Sequence, residues 1–169
     1  MVHISRNITA TDLLQRATLT AFVLGLLSAP AIAAPELTIR EVFYKVDGLN
    51  AKDLGAQMKR RGPKNFWAYT RWDIKWSAQC EVEVVVTFTM PKHTNRGALS
   101  PTFRANWDRM IAALKLHEKQ HGAHGIAAAR EIEQAGCKKT RPIVRKYNRA
   151  DRVFDKRTNH GAKTGVVLN

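Results

Sequence analysis

SPTFRANWDRMIAALKLHEKQHGAHGIAAAREI, residues 100–132, decides how this chain folds. Trp107, Met110, Ile111, Leu114, His117, Glu118, His121, Gly125, Ala128 and Ile132 recur at the spacing of a helix with one face turned inward. Ser100 can cap that helix, and Pro101 suits its first position. Within the inward stripe lies His117-Glu118-Lys119-Gln120-His121, two histidines four positions apart with a carboxylate between them. Residues i and i+4 stack one above the other on a helix. Two imidazoles can therefore grip one cation while Glu118 reaches a water beside it. If the histidines were mere packing, Glu118 would be a buried carboxylate without compensation, so the constellation points to a cation.

Upstream of the helix, Leu37 to Val46 is rich in β-branched and aromatic residues and reads as a strand. A short helix follows, capped by Asn50 with Asp53 as its reciprocal carboxylate and stopped by Gly62-Pro63. Two period-two runs come next, Phe66 to Trp76 and Val82 to Met90, joined by a connection of hairpin length at Ser77 to Gln79. The tryptophans of these runs follow the strand period and read as packing, not as a ligand cage. These elements predict an α+β fold of zincin-like layout. A small antiparallel sheet packs on the long motif-bearing helix and on a C-terminal helix.

A catalytic zinc ordinarily takes three protein ligands and keeps one position open, so a third donor is needed. His124, Asp155 and His160 are the candidates. His124 shares the face of His117, but one straight helix does not converge three imidazoles on a tetrahedral ion, so it reads as a supporting or surface residue. A break at Gly136 to Pro142 leads into a second helix, roughly Ile143 to Asn159, ended by Gly161. Both helices rise equally per residue, so an antiparallel hairpin brings Asp155 to His160 level with the motif. The reading takes His117, His121 and His160 as ligands of Zn²⁺, Glu118 as general base, and Asp155 as the carboxylate that orients a ligand histidine. The swapped arrangement, with Asp155 as third ligand and His160 as oxyanion donor, stays open. Nitrogen and oxygen donors suit several divalent ions, and zinc is the expected one.

The amino-terminal part has the layout of an export signal. His3, Arg6 and Arg16 precede an apolar run from Ala17 to Leu27, followed by Ala31-Ile32-Ala33. The run is short for a membrane span, so cleavage after Ala33 is expected, with residues 34–169 as a single metallohydrolase domain and no stable membrane anchor afterwards. A periplasmic or secreted location follows, and with it an oxidising environment in which Cys80 and Cys137 form a disulfide. Neither cysteine has a Cys or His neighbour at metal-finger spacing.

Lys and Arg number 28 against 14 Asp and Glu, a net charge of +14. Such a surface attracts anionic envelope components in a salt-dependent way. The cations are scattered, apart from small clusters at Lys59-Arg60-Arg61 and Lys138 to Arg141. No nucleic-acid-binding motif is present, so no specific nucleic-acid partner is expected.

The chain resembles a bacterial family described as predicted secreted zinc-dependent proteases, domain of unknown function 922. The resemblance rests on His117-Glu118-x-x-His121, an upstream Trp107, the cysteine pair, and Phe154-Asp155-x-x-Thr158-x-His160-Gly161, and covers most of residues 34–169. Many unrelated zincins share the first motif; the last segment makes the match specific. Membership implies secretion, a zincin-like site and peptidase activity. The family pattern more often carries Tyr before the aspartate. Phe154 has no hydroxyl, so an oxyanion donor there is ruled out and His160, Tyr147 or an arginine must serve. The function read from the sequence is a zinc-dependent peptidase acting on a peptide or protein. The alternatives are a zinc amidase cutting cell-wall peptide links and a noncatalytic, basic, envelope-binding protein.

Overall fold

The computed structural model describes residues 34–169, so the export segment read over residues 1–33 lies outside the described residues. The chain runs β1 (Glu36–Val46), α1 (Ala51–Arg61), β2 (Tyr69–Trp76), β3 (Val82–His93), α2 (Pro101–Gln134) and α3 (Thr140–Thr158), with short 3₁₀ turns at Pro63–Asn65, Arg96–Ala98 and Ala162–Thr164. The α+β class follows directly. Among the described residues no helix is long and apolar enough to cross a membrane.

The local signals explain most boundaries. Asn50 accepts a hydrogen bond from the backbone N–H of Asp53 at 2.9 Å, and its amide donates to the Asp53 carboxylate at 2.7 Å. That closes the first turn of α1. Ser100 likewise accepts from Phe103 N–H at the start of α2. β2 begins three residues later than the alternation suggests. The reason is local: Lys64 and Asn65 hold left-handed backbone angles, so the chain is still turning there. β3 runs on to His93, beyond the expected Met90, because β1 pairs with it to the Val46–His93 step.

The sheet has order β1-β3-β2 and is mixed, not wholly antiparallel. β2 and β3 form the expected hairpin, with Trp72 opposite Val86 and Ile74 opposite Val84. β1 instead lies parallel to β3, with Leu37 opposite Val84 and Phe43 opposite Met90. Alternation tells which face is buried and says nothing about strand direction. Here α1 reverses the chain between β1 and β2, the hairpin reverses it again, and β3 enters beside β1 in the same sense. β1 and β2 are thus the sheet's two edges. β1 leaves Leu37, Ile39, Val42 and Phe43 largely exposed.

α2 lies across one face of the sheet. At its C-terminal half Ala128, Ala129 and Ile132 pack with Val82, Val84, Val86 and, from α3, Ile143. At its N-terminal half Trp107, Met110 and Leu114 join Val46, Leu54, Met58 and Met90. Between the clusters the helix nearly touches the strands. A Cβ on Gly125 would sit 2.4 Å from Cγ of Trp72, and one on Gly122 would sit 2.9 Å from Cζ of Phe88. Only glycine permits that approach. Its consequence is positional, since the motif is pressed against β2.

Cys80 and Cys137 are joined, with Cα atoms 5.6 Å apart. The bond ties the tip of the β2–β3 hairpin to the turn between α2 and α3. Gly136, Cys137 and Lys139 all adopt positive φ in that turn, and α3 then folds back along α2.

Candidate metal centre

His117 and His121 lie one turn apart on α2, and Asp151 and Asp155 lie one turn apart on α3. Because the helices are antiparallel, these two i, i+4 pairs face each other. Oδ1 of Asp155 is 3.1 Å from Nε2 of His117 and 3.0 Å from Nε2 of His121, while the two Nε2 atoms are 3.3 Å apart. Three potential donor atoms therefore form a nearly equilateral triangle. Ligands about 2.0–2.1 Å from a tetrahedral ion lie roughly 3.3 Å from one another, so the triangle has the dimensions of one face of such a site. This donor set can hold a divalent cation.

The surroundings fix the imidazoles. His117 is only 6% exposed. The Phe154 ring stacks on it at 4.7 Å and meets His121 edge-on at 5.3 Å. The residue that lacks a phenol thus packs against both histidines. Burial alone would lower the pKa of His121, but hydrogen bonds with Asp151 and Asp155 outweigh it and push it up to about 10. Burial alone would raise Asp155, yet hydrogen bonds from His117 and His121 hold its carboxyl well below the usual carboxylate range. Each shift reflects opposite charges drawn to one point.

Glu118 is 5% exposed and faces β2. Thr70 Oγ1 lies 2.7 Å from Oε2 of Glu118 and 3.0 Å from its backbone carbonyl. Burial raises the Glu118 pKa, opposed by the Thr70 hydrogen bond and the nearby imidazoles. The net direction is upward, which makes Glu118 a stronger proton acceptor than a solvated carboxylate. Glu118 and the donor triangle line one cleft of ≈ 570 Å³, whose walls include Phe66, Tyr69 and Thr70.

His160 stands at the rim of this cleft. Its side chain is 58% exposed, and Nδ1 is 3.8 Å from Oδ2 of Asp155, beyond hydrogen-bond length. Its ring lies 5.5 Å from Phe66. Of the two candidates from the returning segment, Asp155 is the one that joins His117 and His121 in the triangle. His124 lies outside it, with Nδ1 2.6 Å from Oδ1 of Asp151.

Asp151 and Thr70 are not among the candidates that the sequence motifs offer. The same i, i+4 logic that finds the histidine pair finds Asp151 from Asp155, once α3 is known to face α2. Thr70 carries no local signal, because its meeting with Glu118 spans 48 residues and depends on how the helix lies on the sheet.

Residues 41–161 match the family described as bacterial protein of unknown function (DUF922). The chain belongs to DUF922. The matched span opens within β1 and closes at Gly161, so it takes in both donor helices and most of the residues that line the cleft. No curated protein and no solved structure matches the chain.

Proposed function

We propose that this DUF922 member is an exported, zinc-dependent peptidase in which His117, His121 and Asp155 hold the metal and Glu118 is the general base. The observation that carries the reading is the donor triangle, whose 3.0–3.3 Å edges suit a tetrahedral ion. When bound, the metal supplies Lewis acidity, which acidifies a water and polarises a substrate carbonyl. Glu118, buried and held by Thr70, takes the proton from the attacking water and returns it to the leaving amine. His160, exposed at the rim and near Asp155, takes in this reading the role of oxyanion donor that the swapped arrangement gives it.

β2 supports a peptide substrate. It is an edge strand, and Tyr69 and Thr70 lie on the cleft wall, so an extended chain can pair with its main chain while its scissile bond approaches Glu118. The disulfide agrees with an oxidising compartment, periplasmic or secreted. Residues 34–169, without Arg6, Arg16 and Asp12, carry a net charge of +13, which favours a second form of this reading, in which the peptide belongs to an anionic envelope polymer.

The test is Glu118→Gln. It should retain one equivalent of zinc and lose turnover by several orders of magnitude in a peptide-library assay, with purified peptidoglycan as the parallel substrate. A fully active variant removes the mechanism. Zinc content of Asp155→Ala and His160→Ala should fall only in the former; loss in His160→Ala alone would restore His160 as the third ligand.

A further inference from the structure

Two groups of potential donors share His121: the inner one with His117 and Asp155, and an outer one with His124 and Asp151. We infer that the outer group is not a second cation site and that Asp151 is a positioning residue, fixing the His121 ring so that Nε2 is turned to His117 and Asp155. This rests on the reading of the inner group as a metal centre.

Three observations separate the two possibilities. A neutral imidazole has one lone pair and one N–H. If Nε2 of His121 gives its lone pair to a cation, Nδ1 carries the proton and needs an acceptor. Oδ1 of Asp151 lies 2.9 Å from that Nδ1.

His124 is engaged on both sides. Its Nε2 lies 3.2 Å from the Gln120 side-chain amide, and its Nδ1 faces Asp151. That Nδ1 reaches Oδ1 of Asp151 at 2.6 Å, a charge-assisted hydrogen-bond length that is short for two ligands of one tetrahedral ion. The inner triangle has no such short edge.

The third observation concerns the other oxygen. Oδ2 of Asp151 accepts from Nε1 of Trp72 at 3.1 Å, and an indole N–H is a donor only. Trp72 is itself immobilised where its Cβ and Cγ meet Gly125 of α2. Asp151 thus receives donors from α2 and β2 while standing on α3. A carboxylate so held sets the tautomer and tilt of His121, and removing such a partner commonly costs about 10–100-fold in metal affinity.

The experiment is zinc titration of the purified protein against a chromophoric chelator, with ring-nitrogen NMR of the histidines. Wild type should bind one equivalent. Asp151→Asn should still saturate at one equivalent, with affinity about 10–100-fold weaker, and should lose the slowly exchanging Nδ1 proton of His121. His124→Ala should also saturate at one. Trp72→Phe, which removes the donor to Oδ2 together with part of the indole ring, should weaken zinc in the same direction by less, and it carries the test if Asp151→Asn does not fold. Unchanged affinity in both Asp151→Asn and Trp72→Phe would overturn the assignment. Two equivalents in wild type, falling to one in Asp151→Asn and His124→Ala, would overturn it in favour of a second cation. Wild type binding no zinc would instead sink the metal reading on which it stands.

Discussion

At Gly125 a single missing methyl group decides how close the motif comes to the sheet. Alanine there would press its Cβ into Trp72, 2.4 Å from Cγ, and something must move. Gly125→Ala should destabilise the protein by about 1–3 kcal/mol, the usual cost of overpacking, measured from the urea midpoint at unchanged slope. If the midpoint does not move, the close approach is not rigid. Other residues differ in how far the sequence alone reveals them. His117, Glu118 and His121 are legible because the helix repeat is a local rule that places them on one face. Asp155 is legible as a candidate, since equal helical rise carries it to the level of the motif. Its rank above His160 is not, because the left-handed backbone at Asn159 and His160 ends α3 and turns the His160 side chain toward solvent. Thr70 and Trp72 read as ordinary strand residues until the helix is laid on them.

Among the elements, the helix hairpin is where the site is made or lost. α2 supplies the imidazoles, α3 the carboxylates, and their mutual register depends on a turn with three positive-φ residues. The Cys80–Cys137 bond pins that turn to the β-hairpin. Closing 57 residues stabilises the chain by about 4 kcal/mol at most on the entropic account. Reduction should therefore lower the melting temperature markedly, by an amount corresponding to about 2–4 kcal/mol, in a scan with and without dithiothreitol. A melting temperature indifferent to reductant would mean that packing alone holds the turn. Helix and strand identities were readable in advance, because periods of 3.6 and 2 are distinct and the caps at Asn50 and Ser100 are explicit. The parallel pairing of β1 was not, since nothing in an alternating run records the direction of its neighbour.

For the whole molecule, a cation that binds the folded chain and not the unfolded one adds to stability by mass action. Free zinc at a hundred times its dissociation constant should add about 2.7 kcal/mol, raising the melting temperature, and a chelator should reverse it. Glu118→Gln should show the same rise and Asp155→Ala should not; equal responses would remove Asp155 from the donor set. The α+β architecture was legible at this scale because one long amphipathic helix and three strands leave few ways to cover a single sheet face. What covers the other strand edge was not legible. Among the described residues no strand pairs with the outer edge of β1, which carries Ile39 at 56% and Phe43 at 51% exposure. Such a border is a template onto which a second molecule can add its own strand. Like charge on a chain of net charge +14 opposes such edge-to-edge addition, and dissolved ions that screen the charge would weaken that opposition.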